Sequence, residues 1–252
     1  MMIPNPYPGL FVVFEGCDGS GKSTIREMVE VAILRDFAIK SRDMGLSGNI
    51  ISLNTTRRLN AQDIIVLVKE PGKDRPIGAK IYEELFKPEG LHKTDPVGFQ
   101  SWYALDSKQN LRENIIPAIK ASKIVLADRF RHSLVLSAKN QEDIERLMAT
   151  NQIIIGEDFI WPDATFIFEV DAEKAIKRLK KKGITLDEFE REDHINRTVG
   201  MYRLLGDVYI NKGIVYVDNS EDDPSIALDK VMSILGPILS KRGFIFDPRA
   251  AT

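Results

Sequence analysis

The chain has 252 residues, with 35 Lys and Arg against 37 Asp and Glu and a hydrophobic fraction of 43%, the composition of an ordinary globular protein of one to two domains. A net charge of −2 gives no electrostatic footprint for a nucleic-acid polymer or an anionic membrane. Cys17 is the only cysteine, which excludes an intrachain disulfide and a cysteine-rich zinc site and points to a reducing compartment, the cytoplasm.

The N-terminus, Met-Met-Ile-Pro-Asn-Pro-Tyr-Pro, lacks the basic start and apolar run of a signal peptide. No apolar run approaches the roughly 20 residues of a membrane span. The first predicted element is a strand at Leu10-Phe11-Val12-Val13-Phe14, which feeds directly into Glu15-Gly16-Cys17-Asp18-Gly19-Ser20-Gly21-Lys22-Ser23-Thr24. That is the G-x-x-x-x-G-K-S pattern of a phosphate loop in its required setting, strand before and helix after. Gly16, Gly19 and Gly21 admit backbone angles that turn successive N–H groups, including those of Ser20 and Thr24 at its exit, toward phosphate oxygens. Lys22 is expected to reach the β and γ phosphates and Ser23 to hold Mg²⁺.

Ile25, Met28, Val29, Ala32, Ile33 and Phe37 then recur at helical spacing to about Lys40. Residues 41–62 lack periodicity and read as a long excursion. The apolar run Ile64–Val68 predicts a strand covered on both faces, ending in Lys69-Glu70-Pro71-Gly72-Lys73. A weak helix over Ile77–Phe86 follows, and Asp95-Pro96 caps a helix running from Val97 to about Ser122, with Tyr103, Ser107 and Asn110 on one stripe.

Ile124–Ala127 is the third buried strand, and Asp128-Arg129-Phe130-Arg131 stands at its end, where ligands bind in open parallel sheets. Two short helices are expected near 131–138 and 141–150. A strand over Ala164–Val170, a helix from Asp171 to Lys182, a helix from Glu192 to Asn211, a strand over Ile214–Val217 and a helix from Asp223-Pro224 to near Leu239 complete the pattern. Strands alternating with helices predict one α/β domain, a doubly wound parallel sheet of about five strands with helices on both faces.

Five stretches together resemble the thymidylate kinase family of nucleoside monophosphate kinases, from Phe11 to about Val217. They are Phe14-Glu15-Gly16-x-Asp18-Gly19-x-Gly21-Lys22-Ser23-Thr24, Lys69-Glu70-Pro71-Gly72, Val125-x-x-Asp128-Arg129-Phe130-x-x-Ser133, Pro162-Asp163-Ala164-Thr165, and Asn196-Arg197-Thr198 with Tyr202. The resemblance implies a P-loop NTPase fold with a small lid, ATP with Mg²⁺ as donor, and a nucleoside monophosphate, dTMP first among them, as acceptor. In-line transfer between two anions needs positioning and cations more than a base.

Arg129 resembles the fork that grips the acceptor phosphate, with Lys69 or Lys73 beside it. Asp18 resembles the acidic residue facing the acceptor sugar and phosphate, and Tyr103 falls where the family stacks an aromatic on the base. Asp128 is expected to orient Arg129 or a Mg²⁺-bound water. The segment 178–191 resembles the lid over ATP, so Arg178, Lys181 and Lys182 are its candidate cations. Two positions depart from the family: Lys69 replaces the arginine before Glu-Pro-Gly, and the base-reading helix arginine aligns with Ser107. Relatives are commonly homodimers, and the helix after Val97 is the surface this implies. A nucleoside kinase with Glu15 as base, and a nucleotide-binding module with little turnover, are the alternatives.

Overall fold

The computed structural model describes residues 5–43, 49–51, 58–60, 64–181, 183 and 191–244. Five parallel strands form its sheet: β1 (Leu10–Gly16), β4 (Ile65–Lys69), β5 (Ile124–Asp128), β6 (Ala164–Glu169) and β7 (Ile214–Asp218), in the order β4-β5-β1-β6-β7. Within the excursion, β2 (Asn49–Ile51) and β3 (Arg58–Asn60) pair as an antiparallel ribbon. Three residues per strand are too few to show a period of two in the sequence.

Residues alternate between the two faces of β1 because successive Cβ atoms point in opposite directions. Leu10, Val12 and Phe14 pack with Ile25, Val29 and Ile33 of α1 (Lys22–Asp43) and with Val231, Leu235 and Leu239 of the C-terminal helix over Pro224–Lys241. Phe11 and Val13 belong to a second core with Leu111, Ile144, Leu147 and Leu205. Each large side chain so buried contributes about 1.5–3 kcal/mol. By the same alternation the next residue on the second face is Glu15, a charged group sent into an apolar layer.

The run over Ile64–Val68 does form a strand, but β4 is an edge strand rather than one covered on both faces, and Leu67 is 44% exposed. The helix expected from Val97 to Ser122 is interrupted. It comprises α4 (Pro96–Asn110), a π turn over Leu111–Ile115 and α5 (Ile116–Lys120), after α2 (Pro76–Leu85) and α3 (Leu91–Thr94). Pro117 explains the wider turn: it has no N–H to donate and its ring would meet the carbonyl four residues back. Asp95 caps as expected, accepting from the backbone N–H of Gly98 at 2.9 Å, and Asn140 does the same for that of Asp143 at 2.9 Å. The helix that Asn140 caps, α6, runs Gln141–Ile155, and α7 (Ala172–Lys181) and α8 (Glu192–Val208) follow. None of the described helices is long and apolar enough to cross a membrane.

Register decides what meets at the carboxyl edge. Lys69 pairs beside Asp128, and Asp128 beside Phe14. The phosphate loop, the Lys69-Glu70 corner and the Asp128-Arg129 corner therefore converge on one side of the sheet, at the strand-order reversal around β1.

Candidate active site

The loop after β1 is closed tightly on both sides. Gly19 has φ of +78°, and a Cβ there would lie 2.5 Å from the carbonyl oxygen of Ala175. Gly21 has φ of +83°, and a Cβ there would lie 2.4 Å from Asn219 Nδ2, which donates to the Ser20 carbonyl at 2.7 Å. Asn219 thus holds the loop from the far side, a role with no sequence signal beyond its place after a strand. The first turn of α1 carries no acidic residue, so its positive end is unopposed toward an anion. Thr24 is exposed on that helix and Ser20 is buried.

Lys22 is only 7% exposed. Its Nζ lies 3.2 Å from Asp18 Oδ1 and 3.4 Å from the Cys17 carbonyl. Burial, and then the Arg129 cation, pull its pKa down from the usual lysine value. Burial opposes ionisation of Asp18, but Arg129 and Lys22 outweigh it and hold the carboxyl well below the ordinary aspartate range. Arg129 Nη2 donates to Asp18 Oδ1 at 2.7 Å, and Nη1 to Ser133 Oγ at 3.4 Å. One carboxylate therefore sits between two buried cations.

Arg129 adopts φ of +67°, a left-handed conformation that costs a non-glycine residue on the order of 1–2 kcal/mol. The turn is held at both peptides. The N–H of Arg129 donates to the Phe14 carbonyl at 3.0 Å, and that of Phe130 to Glu15 Oε1 at 2.7 Å. Glu15 Oε2 accepts from Ser133 Oγ and Tyr202 OH, both at 2.8 Å. Burial pushes its carboxyl pKa up. Glu15 is fully committed to fixing the turn and does not line the cavity, which removes the geometry in which it acts as a base toward a hydroxyl acceptor.

The Lys69 corner has its own buried network, anchored by Arg75, which the sequence reading did not single out. Arg75 donates Nε to Asp106 Oδ1 at 2.8 Å, Nη2 to Asp106 Oδ2 at 2.6 Å and Nη2 to the Lys69 carbonyl at 3.0 Å. Asp106 Oδ2 also accepts from the N–H of Gly72 at 3.1 Å. Beside it, Glu70 Oε1 accepts from Asn110 Nδ2 at 3.0 Å. Burial, against the Asn110 hydrogen bond, pushes Glu70 up to about 7 from 4.5.

The folded protein therefore binds more protons at Glu70 than the unfolded chain between those values, and its stability falls as pH rises through the window. Glu70→Gln cannot ionise. Its unfolding free energy is expected to gain on wild type by about 2–3 kcal/mol between about pH 5 and about pH 8, measured by urea denaturation at both. An equal difference at the two pH values would show that Glu70 is ionised throughout.

A cavity of about 320 Å³ opens beside these corners. Asp18, Lys69, Glu70 and Arg129 line it, with the aromatic rings of Phe99 and Tyr103 and with Gln100, Arg131 and Asn151. Phe99 and Tyr103 meet edge to face at 5.3 Å. Of the expected acceptor-binding residues, Asp18, Lys69, Tyr103 and Arg129 line this cavity together. Lys73, Ser107 and Asn110 do not line the cavity. Lys73 is exposed, its Nζ 4.7 Å from the ring centroid of Tyr82. The stripe from Tyr103 leaves the cavity further along the helix, with Ser107 buried and Asn110 taken by Glu70.

Ser23 Oγ donates to Asp128 Oδ2 at 3.0 Å, and these two side chains are the oxygen donors available to a hard cation at the loop. Among the described residues, no group of three or more His, Cys, Asp or Glu is arranged to hold a metal by itself. Arg178 lies at the loop, its Nη1 3.9 Å from the position of a Cβ on Gly21. It donates to the carbonyls of Asn219 at 2.9 Å and Glu221 at 2.8 Å. It belongs to α7, as does the exposed Lys181, while Lys182 and residues 184–190 of the expected lid lie outside the described residues.

Comparison with known proteins bears on the family and the fold. The family model described as thymidylate kinase matches residues 51–223. A curated thymidylate kinase of Halothermothrix orenii is 31% identical over 177 residues, 68% of this chain and 70% of the relative. One of Ureaplasma parvum serovar 3 is 26% identical over 224 residues, 86% of each chain. The crystal structure of thymidylate kinase from Ehrlichia chaffeensis superposes with a TM-score of 0.58 and 20% identity, covering 90% of this chain and 98% of that one. At that identity the likeness speaks for the fold.

Proposed function

The chain belongs to the thymidylate kinase family, and from that premise we propose that it transfers the γ-phosphoryl group of ATP to dTMP, with Lys22 and Arg129 bringing the two anions together. The observation that carries the assignment of roles is the triad of Lys22, Asp18 and Arg129, with Asp18 Oδ1 3.2 Å from the lysine and 2.7 Å from the arginine. The donor phosphates lie in the loop against its backbone N–H groups and Lys22. The acceptor phosphate, already ionised, is met by Arg129 with Lys69 from the neighbouring strand end, and Tyr103 faces the base.

This arrangement stores the cations before either substrate arrives. Asp18 holds both in place, so bringing in phosphates exchanges one anionic partner for others and costs little reorganisation. Arg178, fixed to the carbonyls after β7 beside Gly21, supplies further positive charge on the donor side. The transfer needs no buried base, because the attacking phosphate oxygen carries no proton to remove.

The residues fit a Mg²⁺ ion accompanying the nucleotide. Asp128 Oδ1 is buried with no hydrogen-bond partner among the described residues, while Oδ2 is taken by Ser23. Asp128 keeps one oxygen for a metal-bound water and Ser23 is the hydroxyl next to the loop lysine. When bound, the ion neutralises charge on the β and γ phosphates.

The reading is tested by measuring ADP formation from ATP and Mg²⁺ with each nucleoside monophosphate in turn. Stimulation is expected to be greatest with dTMP. If none of them stimulates ADP formation, the kinase assignment fails.

A further inference from the structure

Arg131 is a charged residue of the cavity wall that the proposed phosphate chemistry leaves unused. It is 5% exposed and opens the 3₁₀ turn Arg131–Leu136 immediately after the Arg129 corner. Its guanidinium carbon lies 4.3 Å from the ring centroid of Phe130 and 3.9 Å from that of Phe159. Nε, Nη1 and Nη2 all lack a hydrogen-bond partner among the described residues. The carboxylate whose charge acts on it is Glu70, whose Oε1 already accepts from Asn110.

Buried guanidinium groups are ordinarily paired, because removing the charge from water without an acceptor is costly. Aromatic faces steady a cation but accept none of the hydrogen bonds that its five N–H groups can make. Burial pulls Arg131 down to about 9, so it still carries its charge and all five donors at neutral pH. A cluster of donors held rigidly at a cavity wall, with no acceptor of its own, matches a ligand that brings one.

We propose that Arg131 reads the acceptor base, donating to the carbonyl oxygen at C4 of a pyrimidine. This rests on the dTMP kinase reading above. The C2 carbonyl is common to thymine and cytosine and adjoins the glycosidic bond, so it belongs with the sugar and phosphate near Asp18 and Arg129. The C4 substituent points away from the sugar and is a carbonyl in thymine but an amine in cytosine. Guanidinium donors facing an amine are left buried and unpaired, which is how a polar site refuses an analogue. Ser107, on the helix stripe, cannot serve because it does not line the cavity.

The test compares dTMP with 5-methyl-dCMP, which differs at C4, using wild type, Arg131→Met and Arg131→Lys. Wild type is expected to prefer dTMP by about 10³-fold or more in kcat/KM. In Arg131→Met the preference should shrink at least about tenfold, through a raised KM for dTMP with the KM for ATP unchanged. Should the methionine variant fail to fold, Arg131→Lys, which keeps a cation but not the planar fork, is expected to raise the KM for dTMP at least about threefold. A folded Arg131→Met that keeps the full preference, or that loses both substrates equally, overturns the assignment, as does an unchanged KM in the lysine variant. Wild type inactive on every monophosphate would sink the kinase reading itself, a result distinct from these.

Discussion

Arg129→Ala is expected to lower kcat/KM for dTMP by about 10²- to 10³-fold, the cost of removing a buried charged hydrogen-bond partner from an anion. The loss should appear mainly as a raised KM for the acceptor, with the KM for ATP nearly unchanged. The argument rests on position. Arg129 is forced into a left-handed turn at the end of β5, and two buried hydrogen bonds, from its own N–H to Phe14 and from that of Phe130 to Glu15, hold it there. Residues held in such sparsely populated backbone conformations cluster at active sites and ligand clamps. Arg129→Lys should recover part of the loss, since it restores charge without the bidentate fork. Steady-state kinetics with dTMP varied at saturating ATP decides it, and an acceptor KM within about threefold of wild type in Arg129→Ala would remove the fork from the acceptor site.

Lys22→Met is expected to reduce kcat on the order of 10³-fold while leaving the fold intact, as removal of a preorganised donor to developing charge does elsewhere. Lys22 is buried, yet its contacts to Asp18 and the Cys17 carbonyl are long, 3.2 and 3.4 Å. Its pKa is lowered by that burial, so an incoming phosphate offers a better partner than the protein does. Methionine keeps the stem and its packing, and Asp18 keeps Arg129 at 2.7 Å, so thermal stability should change little. A variant with kcat within a few-fold of wild type would place the transferring phosphate somewhere other than this loop.

The parts of the site that were legible before folding are those whose chemistry is local. The phosphate loop needs glycines, a lysine and a hydroxyl at fixed spacing because successive backbone N–H groups and a helix start must surround one anion. Lys69, Asp128 and Arg129 were legible because an apolar run that stops at charged residues marks where a buried strand emerges. Glu15 as a base is the reading that failed: its alternation with Phe11 and Val13 sends it beneath the cavity wall into the second core, where Tyr202 and Ser133 take its carboxylate.

The amino-acid sequence by itself determined the five strands of the sheet with the helices between them, the glycine loop after β1 and the charged strand ends beside it, because each depends on residues a few positions apart. Only the tertiary structure decided which polar groups are spoken for. Asp106 closes on Arg75 across 31 positions, Asn219 reaches Ser20 across 199, and Tyr202 reaches Glu15 across 187. Arg131, two residues from Arg129, is left with donors and no acceptor. Whether a buried polar atom is satisfied depends on every chain segment packed around it, and no spacing along one segment carries that information.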